Sequence, residues 1–172
     1  MANTYTLIAS STVGSGGAST IDFTSIPATY TDLVVKISPR NTASGSNWYL
    51  LKIQFNSDTT SANYSYKLVG GFGSTAYSTG ATDRYGGYVT SGARTASTFG
   101  NTEIYIPNYA GSNNKSFSSD SVTEGNGSSY EILGLWAGLW SSSAAISGIT
   151  LSNDSDNFAQ YSTAYLYGIS NS

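Results

Sequence analysis

"YEILGLWAGLW", residues 130–140, is the most apolar stretch of the chain, and its reading decides the fold. As a helix it would hold Gly134 and Gly138 in its interior, each costing about 1 kcal/mol relative to alanine. As a strand it is consistent throughout, because side chains alternate between two faces and both faces here are apolar. Trp136 and Trp140 share one face. The stretch therefore predicts a central strand covered on both sides. The two glycines leave room for a neighbouring aromatic ring to lie over the backbone. At this length it cannot be a membrane helix, which needs about 20 apolar residues.

The same period of two recurs outward from this stretch. Leu33, Val35 and Ile37 oppose Asp32 and Lys36, and Tyr49, Leu51, Ile53 and Phe55 oppose Lys52 and Gln54. Ile104 and Ile106 alternate with Glu103 and Tyr105. Near the end, Tyr161, Thr163, Tyr165, Tyr167 and Ile169 face one way and Ser162, Ala164 and Gly168 the other. Strands are also predicted over 5–9, 20–23, 64–69, 115–123 and 146–151. About ten strands joined by Gly, Ser, Asn and Asp turns, with no amphipathic helix, predict an all-β fold built as an antiparallel two-sheet sandwich. A jelly roll is the expected topology and an Ig-like sandwich the alternative. The 172 residues fit a single domain with a short N-terminal arm.

One region breaks the rhythm. Residues 70–100, "GGFGSTAYSTGATDRYGGYVTSGARTASTFG", predict a long glycine-rich loop. Connections of that length are uncommon unless functional or disordered. Tyr77, Arg84, Tyr85, Tyr88 and Arg94 within it are candidates for a contact surface, since Tyr and Arg are enriched at binding hot spots. The alternative is a long hairpin whose tyrosines pack over the sandwich edge.

Composition narrows the chemistry. Charged residues are 10% of the chain and the net charge is -3, so a nucleic-acid partner, which demands phosphate-neutralising cations, is not expected. The N-terminus lacks the basic and apolar segments of a secretory signal, and no membrane segment is expected. There is no Cys and no His. Ser-His-Asp, Cys-His, zinc-finger and zincin constellations are thereby excluded, and no cofactor, metal or catalytic residue is assigned.

Individual motifs weaken on inspection. Ser112-Asn113-Asn114-Lys115 matches a Ser-x-x-Lys spacing, but it sits in a polar turn without the helical turn or the burial that would make the lysine a base. "SNDSDN", 152–157, has two aspartates but neither the Gly nor the Glu of an EF-hand loop. Glu131, beside the apolar run, is the one acid to consider for glycoside hydrolysis, which needs a second converging carboxylate. Trp136 and Trp140 read as core, and Trp48, beside the "NTASGSN" turn, as the freest of the three.

Taken together, "MANTYTLIASS", "SIPATYTDLVVKISPR" (25–40), "EIYIPNYAGSNNKSFSSDSVTE" (103–124), "GLWAGLWSSSAAISGITL" (134–151) and "FAQYSTAYLYGISNS" (158–172) resemble small β-rich virion structural proteins of tailed bacteriophages of marine bacteria and cyanobacteria. The resemblance implies a non-enzymatic protein located in the virion, a capsid decoration (cement) or head-fibre protein. Its implied partners are other virion proteins, the major capsid protein or tail components, and a homo-oligomer such as a trimer. A tail-fibre or carbohydrate-binding module recognising host glycan is the alternative.

Overall fold

The computed structural model describes residues 4–126 and 131–170. Among them twelve strands form two antiparallel sheets, and one 3₁₀ turn, Ser61–Asn63, is the only helical element. The strands are β1 (Tyr5–Thr12), β2 (Thr20–Phe23), β3 (Asp32–Ser38), β4 (Trp48–Phe55), β5 (Tyr64–Phe72), β6 (Thr75–Ala81), β7 (Tyr85–Thr90), β8 (Asn101–Ile106), β9 (Lys115–Thr123), β10 (Ile132–Trp140), β11 (Ile149–Asn153) and β12 (Thr163–Ile169). The larger sheet has the order β1-β12-β3-β8-β9-β10-β5-β6 and the smaller β2-β11-β4-β7.

The protein is thus an all-β sandwich. Set aside the hairpins β5–β6 and β9–β10, and the remaining eight strands divide into two four-stranded sheets, the chain changing sheet at every step except β4 to β7. Their order, β1-β12-β3-β8 facing β2-β11-β4-β7, fits a jelly roll. The two hairpins pair with each other and extend the larger sheet beyond β8.

This extension passes round the edge of the smaller sheet. Leu51, Ile53 and Phe55 of β4 enter the main core with Leu33, Val35, Ile37, Ile104 and Leu166. On the opposite face of the same sheet, Leu50 and Tyr88 pack with Leu68, Ile132 and Trp136 from β5 and β10. Strands β4 and β7 therefore bury side chains on both faces, and β7 lies edge-on against β9. Ser119 Oγ donates to the Gly86 carbonyl at 2.6 Å, while Ser121 Oγ accepts from the Tyr88 N–H at 2.8 Å. The buried face of β9 reads Lys115, Phe117, Ser119, Ser121, Thr123, three of the five hydroxyl residues, and two of these, Ser119 and Ser121, satisfy the unpaired edge of β7.

Several sequence expectations are corrected here. Residues 70–100 are not one loop: they hold the end of β5, all of β6 and all of β7. Their glycines hide the alternation because the backbone is approached closely. A Cβ at Gly87 would stand 3.0 Å from the Thr102 side chain, and one at Gly86 3.2 Å from the Phe117 ring. Strand β10 is central in its sheet but is not covered on both sides, since Leu133 and Leu135 are more than half exposed. Its glycines do make room for rings, as a Cβ at Gly138 would collide with Phe117 and one at Gly134 with Trp136. In place of a short N-terminal arm, Tyr5–Thr12 pairs with β12 as an edge strand; residues 1–3 lie outside the described ones. In β12 the smaller face is the inner one. Ala164 and Leu166 are buried, Gly168 lies under the Tyr30 ring, and Tyr165 is exposed.

Candidate functional site

The five candidate residues do not share one surface. Tyr88 is buried at 1% exposure on β7, where its ring meets Trp136 edge-on at 4.5 Å and Trp48 at 5.2 Å. Tyr77 comes from β6, and its hydroxyl contacts that of Tyr88. Tyr85 meets Tyr66 edge-on at 5.9 Å, with Lys52 Nζ 5.5 Å above its ring. Arg84 Nη1 donates to Gln54 Oε1 at 2.6 Å. Arg94 lies in another network altogether, paired with Glu131 at 2.6 Å. The structure therefore brings Tyr77 and Tyr88 together, while Tyr85, Arg84 and Arg94 make their contacts elsewhere.

Tyr77 and Tyr88 belong to a cleft of about 280 Å³ between the β5–β6 hairpin and the outer face of the smaller sheet. Tyr66, Leu68, Phe72, Tyr77 and Thr79 form its hairpin wall, and Trp48, Leu50, Tyr88 and Ile132 complete it. The wall exists because β5 and β6 turn alternate residues inward while Gly70, between them, leaves space. A Cβ there would come within 2.9 Å of the Tyr77 hydroxyl. None of the nine lining residues is charged. Burial pushes the phenols of Tyr66 and Tyr77 above their ordinary values, which favours their neutral forms. It can hold an uncharged, largely apolar group by contact and exclusion of water; it offers no base, acid or nucleophile.

Sequence reading missed Trp48, Leu50, Tyr66 and Phe72 as partners of Tyr77. The available signal was the alternation of Trp48 and Leu50 opposite the core-facing Tyr49 and Leu51. Two apolar residues on a face otherwise carrying Lys52 and Gln54 call for a cover.

The remaining motifs have structural roles. The turn preceding Lys115 is exposed, but Lys115 itself is buried, which corrects its reading as part of a surface turn. Its Nζ donates to the carbonyls of Gly111 at 2.7 Å and Asn113 at 2.5 Å, and burial lowers its pKa. Ser112 takes no part in these bonds. Glu131 is paired with the Arg94 guanidinium at 2.6 Å. Asp154 accepts from the Leu50 N–H at 3.0 Å, joining the 152–157 turn to β4. Among the described residues no group of three or more acids could hold a metal ion. Trp136 and Trp140 are buried, and Trp48 is only partly covered.

The larger sheet also has an open outer face. On β9, β10 and β5 it presents Val122, Leu133, Leu135 and Val69, between 42% and 58% exposed. Val69 lies directly opposite Leu135, and Leu133 opposite Val122. These two pairs make a contiguous apolar strip across three strands.

No family model matches the chain, and no curated protein does. Among solved structures it is similar to the Ruminococcus gnavus IT-sialidase CBM40 bound to alpha2,3 sialyllactose. The two are 9% identical with a TM-score of 0.38, over 97% of this chain and 95% of that one.

Proposed function

We propose that this protein is a non-catalytic structural component of a bacteriophage virion, a capsid decoration or head-fibre protein that grips neighbouring virion proteins. The observation that carries the contact role is the strip Val69–Leu135 and Leu133–Val122 on the open face of the larger sheet. Exposed apolar residues scattered singly need no explanation, but paired across adjacent strands they form a surface suited to a partner. The virion assignment draws on the sequence resemblance. A shell repeats each weak contact many times, so modest affinity suffices for retention. A cyclic homo-oligomer, with a trimer suited to local three-fold positions, belongs to this reading.

Quantitative mass spectrometry of purified particles tests it. Hundreds of copies per particle support decoration, and absence from particles refutes the reading. Light scattering of the isolated protein tests the trimer, which a monomer at high concentration would count against.

A second reading, a tail-fibre or carbohydrate-binding module for host surface glycan, has the rings of the cleft in its favour. Against it stands the lack of any amide or charged side chain among the lining residues to orient hydroxyl groups. A glycan array answers this question directly.

A further inference from the structure

The cleft and a free sheet edge share one strand. β6 ends the larger sheet and pairs only with β5, and among the described residues no other backbone hydrogen bond reaches it. In an antiparallel ladder alternate residues turn their N–H and C=O groups outward, so one side of β6 offers unpaired donors and acceptors. Natural edges are usually guarded by a charge, a proline or a bulge. The sequence of β6, TAYSTGA, has neither charge nor proline, and its pairing with β5 runs without a register shift. Two of its inward residues, Tyr77 and Thr79, line the neutral cleft.

We propose that the outer edge of β6 together with the cleft is a strand-addition site for an extended, uncharged segment of a partner protein that carries bulky apolar side chains at alternate positions. Main-chain pairing to β6 would hold the segment, and every second side chain would face the side on which the cleft opens. A volume of about 280 Å³ lies at the small end of ligand sites, matching a side chain better than a larger molecule. The uncharged lining disfavours a segment with Lys, Asp or Glu on that face, because a charge would lose its hydration there without a partner. The proposal rests on the reading of this protein as a contact module and names the chemistry of one contact.

The test uses the full chain and a synthetic end-blocked peptide alternating threonine with leucine and phenylalanine, with two lysines at each end for solubility. Calorimetry should show saturable binding, with NMR shifts confined to β6 and the cleft. Scrambling the peptide, N-methylating its backbone or substituting Thr79→Lys at the exposed cleft wall should each weaken binding about tenfold or more. Ser10→Lys on β1, an exposed position at the far edge of the same sheet, should leave it unchanged. The proposal is overturned by equal binding of the scrambled peptide, by no binding at about 1 mM, or by saturable binding of a neutral glycoside at the cleft with no response to peptide. A negative result here leaves the particle measurement standing, because that measurement reads incorporation and not occupancy of the β6 edge.

Discussion

Ser121 on β9 accepts a hydrogen bond of 2.8 Å from the backbone N–H of Tyr88 on β7, joining two sheets that share no ladder at that point. Ser121 Oγ also meets Thr102 Oγ1 at 2.6 Å, in a buried position. Ser121→Ala strands the Tyr88 donor away from water, and an unsatisfied buried donor costs about 1–3 kcal/mol. Chemical denaturation should show that loss. Ser118→Ala, on the exposed opposite face of β9, should stay within about 0.5 kcal/mol of the parent.

Gly138 underlies the Phe117 ring, with no room for a Cβ. Gly138→Ala should cost about 1–3 kcal/mol by overpacking. Combined with Phe117→Leu, the cost should fall short of the sum of the two single changes, because the collision partner has shrunk. Additive losses in a double-mutant cycle would refute this contact.

Trp140 Nε1 and Asn63 Nδ2 each donate to Asp58 Oδ2 at 2.8 Å, and the Thr60 N–H donates to Oδ1 at 2.9 Å. These bonds, that of Trp140 foremost, lower the carboxyl pKa from 3.8 to about 2. A depressed folded-state value stabilises the fold fully above the unfolded pKa and loses that stabilisation as pH falls through the folded one. Thermal midpoints should therefore decline between pH about 4 and about 2. Asp58→Asn should lower stability at neutral pH and flatten that decline. An unchanged acid slope in the variant would remove Asp58 as its cause.

Lys115 is buried while Lys36 and Lys67 are exposed. Brief treatment with an amine-acylating reagent at neutral pH should modify the exposed lysines and spare Lys115 until the protein unfolds. Peptide mapping checks the order. Early modification of Lys115 would mean that its cover opens readily.

The extent to which the fold was legible follows from where apolar side chains define a face. Strands β3, β4, β8 and β10 announce themselves because one face, or both, is filled with Leu, Ile, Val, Phe or Trp. Strands β6 and β7 do not, since TAYSTGA and YGGYVT carry glycine and hydroxyl residues where a strand ordinarily carries bulk. Their identity as strands comes from pairing with β5 and β4, which is a non-local property. The cleft was legible only in pieces. Tyr77 and Tyr88 stood out by type, but Trp48 and Leu50 lie far from them in the chain and meet them only when the extended sheet passes round β7.

The sequence alone determined that this protein is all-β, that these residues hold no histidine or cysteine chemistry, and that Trp136 and Trp140 share one face of one strand. Period-two patterning and residue type are local, so the chain itself carries them. Tertiary structure decided which faces stay open, why serines and a lysine are buried on β9, and which rings enclose the cleft. Those outcomes depend on how far one sheet wraps another, and that is set by contacts between residues distant in the chain.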